Sequence, residues 1–139
     1  MKEVNVIYWS STGNTQAMAE AVGAGVEEAG GKANVIEVSA ADASMLKDAD
    51  SFALGASAMG DAEMDDFVTA VEEICSGKTV GLFGSYDWGD GEWMRKWVDR
   101  MTAAGATVVN GEGLICQETP DDAMIEECKN LGKALAANA

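Results

Sequence analysis

Residues 10–15 (Ser-Ser-Thr-Gly-Asn-Thr) have the composition of an anion-binding loop. They follow the apolar run 4–9 and precede apolar residues at helical spacing, so they would form a turn between a strand and a helix. The first turn of a helix leaves backbone N–H groups without partners, and its dipole favours a negative charge. Four hydroxyl groups add donors, and Gly13 allows the backbone to approach closely. The loop is a candidate phosphate site, although a turn that only caps a helix can have this composition.

The absence of basic residues from the loop limits which phosphate-containing ligands it suits. No Lys or Arg lies between Lys2 and Lys32. The lysine that reaches the terminal phosphates in a Walker motif is therefore absent. Neutral donors alone suit a single phosphate better than a triphosphate with magnesium.

Composition narrows the class of protein. With 139 residues, 47% of them hydrophobic, and one proline, the chain is expected to form one compact domain over residues 1–139. The formal net charge of −15 disfavours nucleic acids and anionic membranes and favours partners with basic patches. Histidine is absent, which excludes Ser-His-Asp and Cys-His catalysis, and the three cysteines form no CxxC pair and indicate reduced, buried thiols. Without a recognisable signal peptide or membrane-length apolar segment, we expect a soluble, cytoplasmic protein.

The order of the apolar runs predicts an α/β fold. Predicted strands cover residues 4–9, 33–38, 51–55 and 79–84, and a fifth strand is split into 107–109 and 114–116. Strands that alternate with helices imply parallel βαβ units with right-handed crossovers. The simplest arrangement is a doubly wound, five-stranded parallel sheet in the order 2-1-3-4-5, with helices on both faces.

Two helices have features that can be checked directly. Thr119 is predicted to cap the last helix, with Pro120 at its first position and carboxylates in its first turn. Trp93 and Trp97 fall at helical spacing and are predicted to pack against the sheet.

Three loops are predicted to meet at one edge of this sheet, since they follow strands 1, 3 and 4. They cover residues 10–15, 56–63 and 85–91. In doubly wound sheets, ligands bind at the carboxyl ends of the strands, next to the point where the strand order reverses. Met59 is a large apolar residue where a simple turn would prefer polar ones. Trp88 has no helix or strand face to pack on and is better suited to stacking on a flat ligand. The sequence therefore predicts a pocket for a flat heterocycle between Met59 and Trp88, with its phosphate on the first loop.

The chain resembles the short-chain flavodoxins over its whole length. The motifs that carry the resemblance are Tyr-Trp-Ser-Ser-Thr-Gly-Asn-Thr (8–15), Met-Gly-Asp (59–61), Gly-Leu-Phe-Gly-Ser-Tyr (81–86) and Trp-Gly-Asp-Gly-Glu-Trp-Met (88–94). Flavodoxin is itself a standard example of the 2-1-3-4-5 strand order, with FMN at the switch point. The resemblance implies one non-covalently bound FMN. It also implies an electron-transfer protein, not an enzyme, that carries single electrons at low potential, mainly through the semiquinone/hydroquinone couple.

The resemblance also implies the residues that bind FMN. The phosphate-binding residues would be Ser10, Ser11 (through its backbone), Thr12, Gly13, Asn14, Thr15 and Ser57. The residues along the ribityl chain and around the ring would be Ala58, Met59, Ser85, Tyr86, Trp88 and Gly89, with Met59 and Trp88 on the two ring faces. In the family, the Gly60–Asp61 peptide turns over on one-electron reduction, so that the Gly60 carbonyl accepts a hydrogen bond from the protonated flavin N5. Glycine tolerates both backbone conformations that this rotation requires.

Two positions depart from the family pattern. Related chains usually carry Glu directly after the Gly-Asp pair, where it hydrogen-bonds flavin N3. This chain has Ala62 there, followed by Glu63. Either Glu63 reaches round to make that contact or the contact is lost. Related chains often have Gly where this one has Asp87, which adds a carboxylate near the ring.

Two other functions share this topology. A flavodoxin-like NAD(P)H-dependent quinone or flavin reductase would need basic residues near the loops for the phosphates of its nucleotide. A phospho-receiver domain would need an acidic cluster at the ends of strands 1 and 3 and a Lys after strand 5, whereas no Lys lies between Arg100 and Lys129. The resemblance implies partners of the ferredoxin/flavodoxin-type oxidoreductase class, and the acidic charge of the chain favours basic docking patches on them. We also expect the carrier to be a monomer.

Overall fold

The computed structural model describes residues 3–9, 13–56, 62–86, 92–117 and 119–138. Its strands are β1 (Glu3–Trp9), β2 (Lys32–Glu37), β3 (Ser51–Ala56), β4 (Thr79–Tyr86), β5 (Thr107–Val108) and β6 (Leu114–Gln117). Its α-helices are α1 (Asn14–Glu28), α2 (Ala62–Glu72), α3 (Glu92–Ala103) and α4 (Asp122–Ala137), and short 3-10 helices cover Val38–Ala40, Ala43–Leu46 and Val109–Gly111. Among the helices of these described ranges, none has the length and apolarity that crossing a membrane would require.

All strands belong to one parallel sheet, in the order β2-β1-β3-β4 with β5 and β6 sharing the last position. Strand β5 pairs with Thr79 and Val80 of β4, and β6 pairs with the later part of the same strand. Between them, Val109–Gly111 leaves the ladder as a 3-10 turn, and Gly111 has a φ of 74°, which side chains disfavour. The predicted order 2-1-3-4-5, with a split fifth strand, is confirmed.

The sheet separates two hydrophobic clusters, which makes the molecule a three-layer sandwich. Successive residues of β3 point to opposite faces, so Phe52 and Leu54 join one cluster while Ala53 joins the other. Helices α2 and α3 cover the Phe52 face, and α1 and α4 cover the Ala53 face. Every residue of β3 is buried, as expected of a central strand in a parallel sheet. Trp97 is buried in the Phe52 cluster, as its spacing predicts.

Helix α4 begins two residues later than the sequence suggests. Its cap is Asp121, whose carboxylate accepts a hydrogen bond from the backbone N–H of Met124 at 2.8 Å. The prediction that Thr119 is the cap and Pro120 the first helical residue is therefore wrong. A carboxylate at the cap accepts the N–H and also interacts favourably with the helix dipole, which a threonine hydroxyl does less well.

The cysteines are buried and form no disulfide. Burial raises the pKa of the Cys75 and Cys116 thiols, and it raises the pKa of Cys128, on α4, to about 12. A thiol with a raised pKa is a poor nucleophile at neutral pH, because the thiolate is the reactive form. These residues therefore contribute to packing and not to chemistry.

Candidate functional site

The carboxyl ends of β1, β3 and β4 lie side by side at one edge of the sheet. Trp9 pairs with Ala56 across the β1–β3 ladder. Gly84 of β4 lies so close to Ala56 that a Cβ on Gly84 would overlap the Ala56 carbonyl oxygen. The three predicted loops leave the sheet from these ends, so the topology brings their starting points together.

The described residues include part of the predicted site. Gly13, Asn14, Thr15, Ser85 and Tyr86 are described, and Glu63 is described only by its backbone in α2. The predicted residues that lie outside the described part of the chain are Ser10, Ser11, Thr12, Ser57, Ala58, Met59, Gly60, Asp61, Trp88 and Gly89. The site can therefore be judged on its described margins.

The first of these margins is the N-terminus of α1. Gly13 is the N-cap residue, with a φ of 91°, and its carbonyl oxygen accepts the N–H of Ala17 at 3.0 Å. A Cβ on Gly13 would meet nothing within 4 Å, so the left-handed conformation and not crowding favours glycine here. Glycine has no side chain with which to cap the helix, and the first turn of α1 contains no acidic residue. The positive end of a helix dipole favours an anion.

A buried pair of hydroxyl groups joins this helix to β4. Thr15 Oγ1 lies 2.7 Å from Ser85 Oγ, and the two residues are 0% and 3% exposed. The backbone N–H of Ser85 also donates to Thr15 Oγ1, at a longer 3.4 Å. Two residues that lie 70 positions apart are thus held in hydrogen-bonding distance. A change at either residue should therefore affect both the start of α1 and the end of β4.

An aromatic pair forms a second margin. The Tyr86 and Trp93 rings lie 5.6 Å apart and are tilted by 55°. Trp93 also packs over Gly84, where an added Cβ would lie 3.3 Å from its Cζ2. The Nε1 atom of Trp93 is buried and has no hydrogen-bond partner within the ranges described above. A buried indole N–H normally has a partner, so this donor is available to a ligand or to the neighbouring loops.

Sequence reasoning assigned Trp93 to packing alone. Trp93 does pack against the Phe52 cluster, but its donor group and its contact with Tyr86 link it to the site as well. Its position directly after the loop 85–91 could have indicated that Trp93 lies near the site. Helical spacing shows which face of a helix is buried, but not where the polar end of an indole points.

These margins fit FMN. A helix start without acidic residues, with buried hydroxyl groups beside it, suits a phosphate monoester and the polar chain that follows it. The tilted aromatic pair Tyr86 and Trp93 suits the edge of a flat ring. The donors at this edge are neutral hydroxyls and N–H groups, which suit a phosphate oxygen better than a metal cation.

Comparison with known proteins gives a consistent result. The flavodoxin family model matches residues 6–132. The chain is 43% identical to a flavodoxin of Clostridium beijerinckii in an alignment of 138 residues that covers 96% of this chain and 99% of that one. It is 42% identical to a flavodoxin of Megasphaera elsdenii in an alignment of 138 residues that covers 96% of this chain and 98% of that one. The solution structure of two-electron reduced Megasphaera elsdenii flavodoxin superposes with a TM-score of 0.87 at 41% identity, over 96% of this chain and 98% of that one. The chain therefore belongs to the flavodoxin family of FMN-dependent electron carriers.

Proposed function

We propose that this flavodoxin is a single-domain, low-potential carrier of single electrons between redox proteins, and that it is not an enzyme. FMN is the cofactor of the family, and when bound it supplies a ring that accepts and releases electrons one at a time. The observation that carries the proposal is the start of α1, where Gly13 is the N-cap residue and no acidic residue lies in the first turn, beside the Thr15–Ser85 hydroxyl pair. That arrangement supports binding of the phosphate end of FMN at this helix start.

We assign the phosphate to the start of α1. Gly13, Asn14 and Thr15 would bind it through N–H groups and the Thr15 hydroxyl, with Ser85 beside the ribityl chain. The residues proposed to complete the phosphate site are Ser10, Ser11, Thr12 and Ser57. Their neutral donors hold a dianion without a lysine that would also attract a triphosphate.

The ring is proposed to lie between Met59 and Trp88. The Gly60 carbonyl oxygen would accept a hydrogen bond from the N5–H group of the flavin, and Glu63 is the candidate partner of N3. Ala58, Asp61 and Gly89 would line the pocket, and Tyr86 and Trp93 would support its wall. Apolar stacking and nearby carboxylates oppose a negative charge on the ring. At an effective dielectric constant near 20, one charge about 8 Å away costs roughly 2 kcal/mol. We infer a strongly negative potential for addition of the second electron.

The partners are proposed to be cytoplasmic oxidoreductases with basic docking patches. The formal net charge of −15 would attract such a surface and repel nucleic acids. The same charge would repel a second copy of the chain, which favours a monomer. Because steering by charge is screened by salt, the rate of electron transfer to such a partner should fall as ionic strength rises.

The proposal is tested by anaerobic titration of the purified yellow protein with dithionite, followed by visible spectroscopy. We expect a long-wavelength absorption band at half reduction that disappears at full reduction. Loss of the visible absorbance in one step, without the long-wavelength band, would contradict single-electron transfer. Rapid reduction by NADPH without a reductase would favour the alternative, a flavodoxin-like quinone or flavin reductase.

A further inference from the structure

Arg100, near the end of α3, holds three side chains of α2. Its Nη1 lies 3.0 Å from Asp65 Oδ1, and its Nη2 lies 2.7 Å from Glu72 Oε1 and 3.3 Å from Thr69 Oγ1. These residues are spaced four and three apart, so they lie along one face of α2. The Thr69 hydroxyl also donates to the Asp65 carbonyl oxygen at 3.0 Å. One guanidinium therefore spans α2 from its first turn to its last residue.

This contact differs from an ordinary surface ion pair. Arg100 and Glu72 are each 30% exposed, whereas Lys96 and Glu92, paired at 3.5 Å on the same α3, are 73% and 67% exposed. The hydrogen bond to Glu72 raises the pKa of Arg100, so its charge is fixed at all working pH values. A planar fork that donates to several oxygens fixes geometry as well as charge, which the single ammonium of a lysine does not. Exposed pairs such as Lys96–Glu92 contribute little by comparison.

The two helices that Arg100 joins follow the two loops of the proposed ring site. Helix α2 begins at Ala62, directly after Met59, Gly60 and Asp61, and Asp65 lies in its first turn. Helix α3 begins at Glu92, after the loop that carries Trp88. Both helices pack on the same face of the sheet. Their relative position therefore sets the distance between the points at which the two loops end.

We propose that Arg100 is a positioning residue for electron transfer: it holds α2 against α3 and so fixes the gap in which the flavin ring is bound. This inference rests on the proposed function. A ring site whose two walls are held at a fixed distance binds the oxidised, half-reduced and fully reduced ring with different affinities. Loosening one wall changes those affinities unequally, and by linkage it changes the two one-electron potentials. A residue that only stabilised the fold would lower stability and leave both potentials in place.

The experiment compares FMN-loaded Arg100→Met, Arg100→Lys and Lys96→Met with the unsubstituted protein. Arg100→Met keeps an apolar stem and removes the fork, and Arg100→Lys keeps the charge. Lys96→Met removes the same charge from the same helix at an exposed pair. Two quantities are measured: the largest fraction of half-reduced protein during anaerobic titration, and the urea midpoint of unfolding.

We expect Arg100→Met to lower the half-reduced fraction at least threefold, Arg100→Lys to lower it less, and Lys96→Met to leave it unchanged. If Arg100→Met lowers only the urea midpoint, or raises the half-reduced fraction, the proposal is wrong. An equal effect from Lys96→Met would also overturn it, because charge alone would then account for the shift. If Arg100→Met does not fold, Arg100→Lys decides by the same criterion. One-step bleaching of the unsubstituted protein would instead reject the proposed function.

Discussion

Helices α1 and α4 cover the same face of the sheet, but they begin in opposite ways. At α4, the Asp121 carboxylate caps the helix and Asp122 adds a second negative charge to the first turn. At α1, the cap is Gly13, which has no side chain, and the first turn has no acidic residue. A helix with a purely structural role supplies its own negative groups. At α1, in the proposed phosphate site, the ligand would provide that charge.

The starts of α4 and α1 also differ in how far their side chains are exposed to solvent. Asp121 and Asp122 are exposed to solvent, where water also satisfies their charge. Thr15, in the first turn of α1, is 0% exposed and is already hydrogen-bonded to Ser85. The proposed phosphate site at the start of α1 thus has a buried, hydrogen-bonded base. Such a base reduces the ordering that ligand binding would otherwise require.

The largest effect should come from placing a carboxylate at the start of α1. We expect Asn14→Asp to weaken FMN binding on the order of 100-fold, since like charges about 6 Å apart repel by roughly 3 kcal/mol at an effective dielectric constant near 20. The measurement is a fluorescence titration of FMN with the FMN-free protein. Riboflavin, which lacks the phosphate, is the control and should bind both proteins equally. Unchanged FMN affinity would show that the phosphate is not bound at the start of α1.

A smaller effect is expected at α4. Asp121→Ala removes the acceptor of the Met124 N–H and should lower the free energy of unfolding by about 1 kcal/mol. Urea unfolding of the FMN-free protein measures this loss. FMN affinity should stay the same, because this helix end does not take part in binding. If Asp121→Ala also lowered FMN affinity, the two helix starts would act together. That result would contradict the contrast drawn here between α4 and α1.

The smallest effect concerns pH and the buried side of α4. The pKa of Cys128 is raised to about 12 in the folded protein, so above pH 9 the unfolded chain loses this proton while the folded chain keeps it. From an ordinary thiol pKa of 9.0 in the unfolded chain, we expect stability to fall as pH rises, by about 0.7 kcal/mol between pH 8.5 and 9.5. Urea unfolding at these two pH values measures the loss, and Cys128→Ala should reduce it. If the dependence persists in Cys128→Ala, another group is responsible.

The fold was accessible from the sequence because each element carries its own local pattern. Buried strands read as apolar runs and helices as apolar residues three or four apart, and the parallel order followed from their alternation. The choice between Thr119 and Asp121 as the cap of α4 required information that the local sequence pattern does not contain. Both residues are good caps, and the choice depends on where the chain leaves β6, which is a tertiary matter.

The site was accessible only in part, for a related reason. Sequence motifs named Thr15 and Ser85 separately, but their 2.7 Å contact depends on how α1 packs on β4. Arg100 carries no motif at all, because its partners lie on another helix. The residues that bind a ligand can be read from a family pattern, whereas a residue proposed to position the binding loops, such as Arg100, is found only from packing.

The split at the edge of the sheet also has a consequence for engineering. Strands β5 and β6 pair separately with β4, and the turn Val109–Gly111 between them takes no part in the ladder. Gly111 and Glu112 are exposed. Lengthening an exposed turn costs little entropy, and insertions are best tolerated where no ladder hydrogen bond is lost. This turn is therefore the natural place to insert a tag, an electrode linker or a fused redox domain into the carrier.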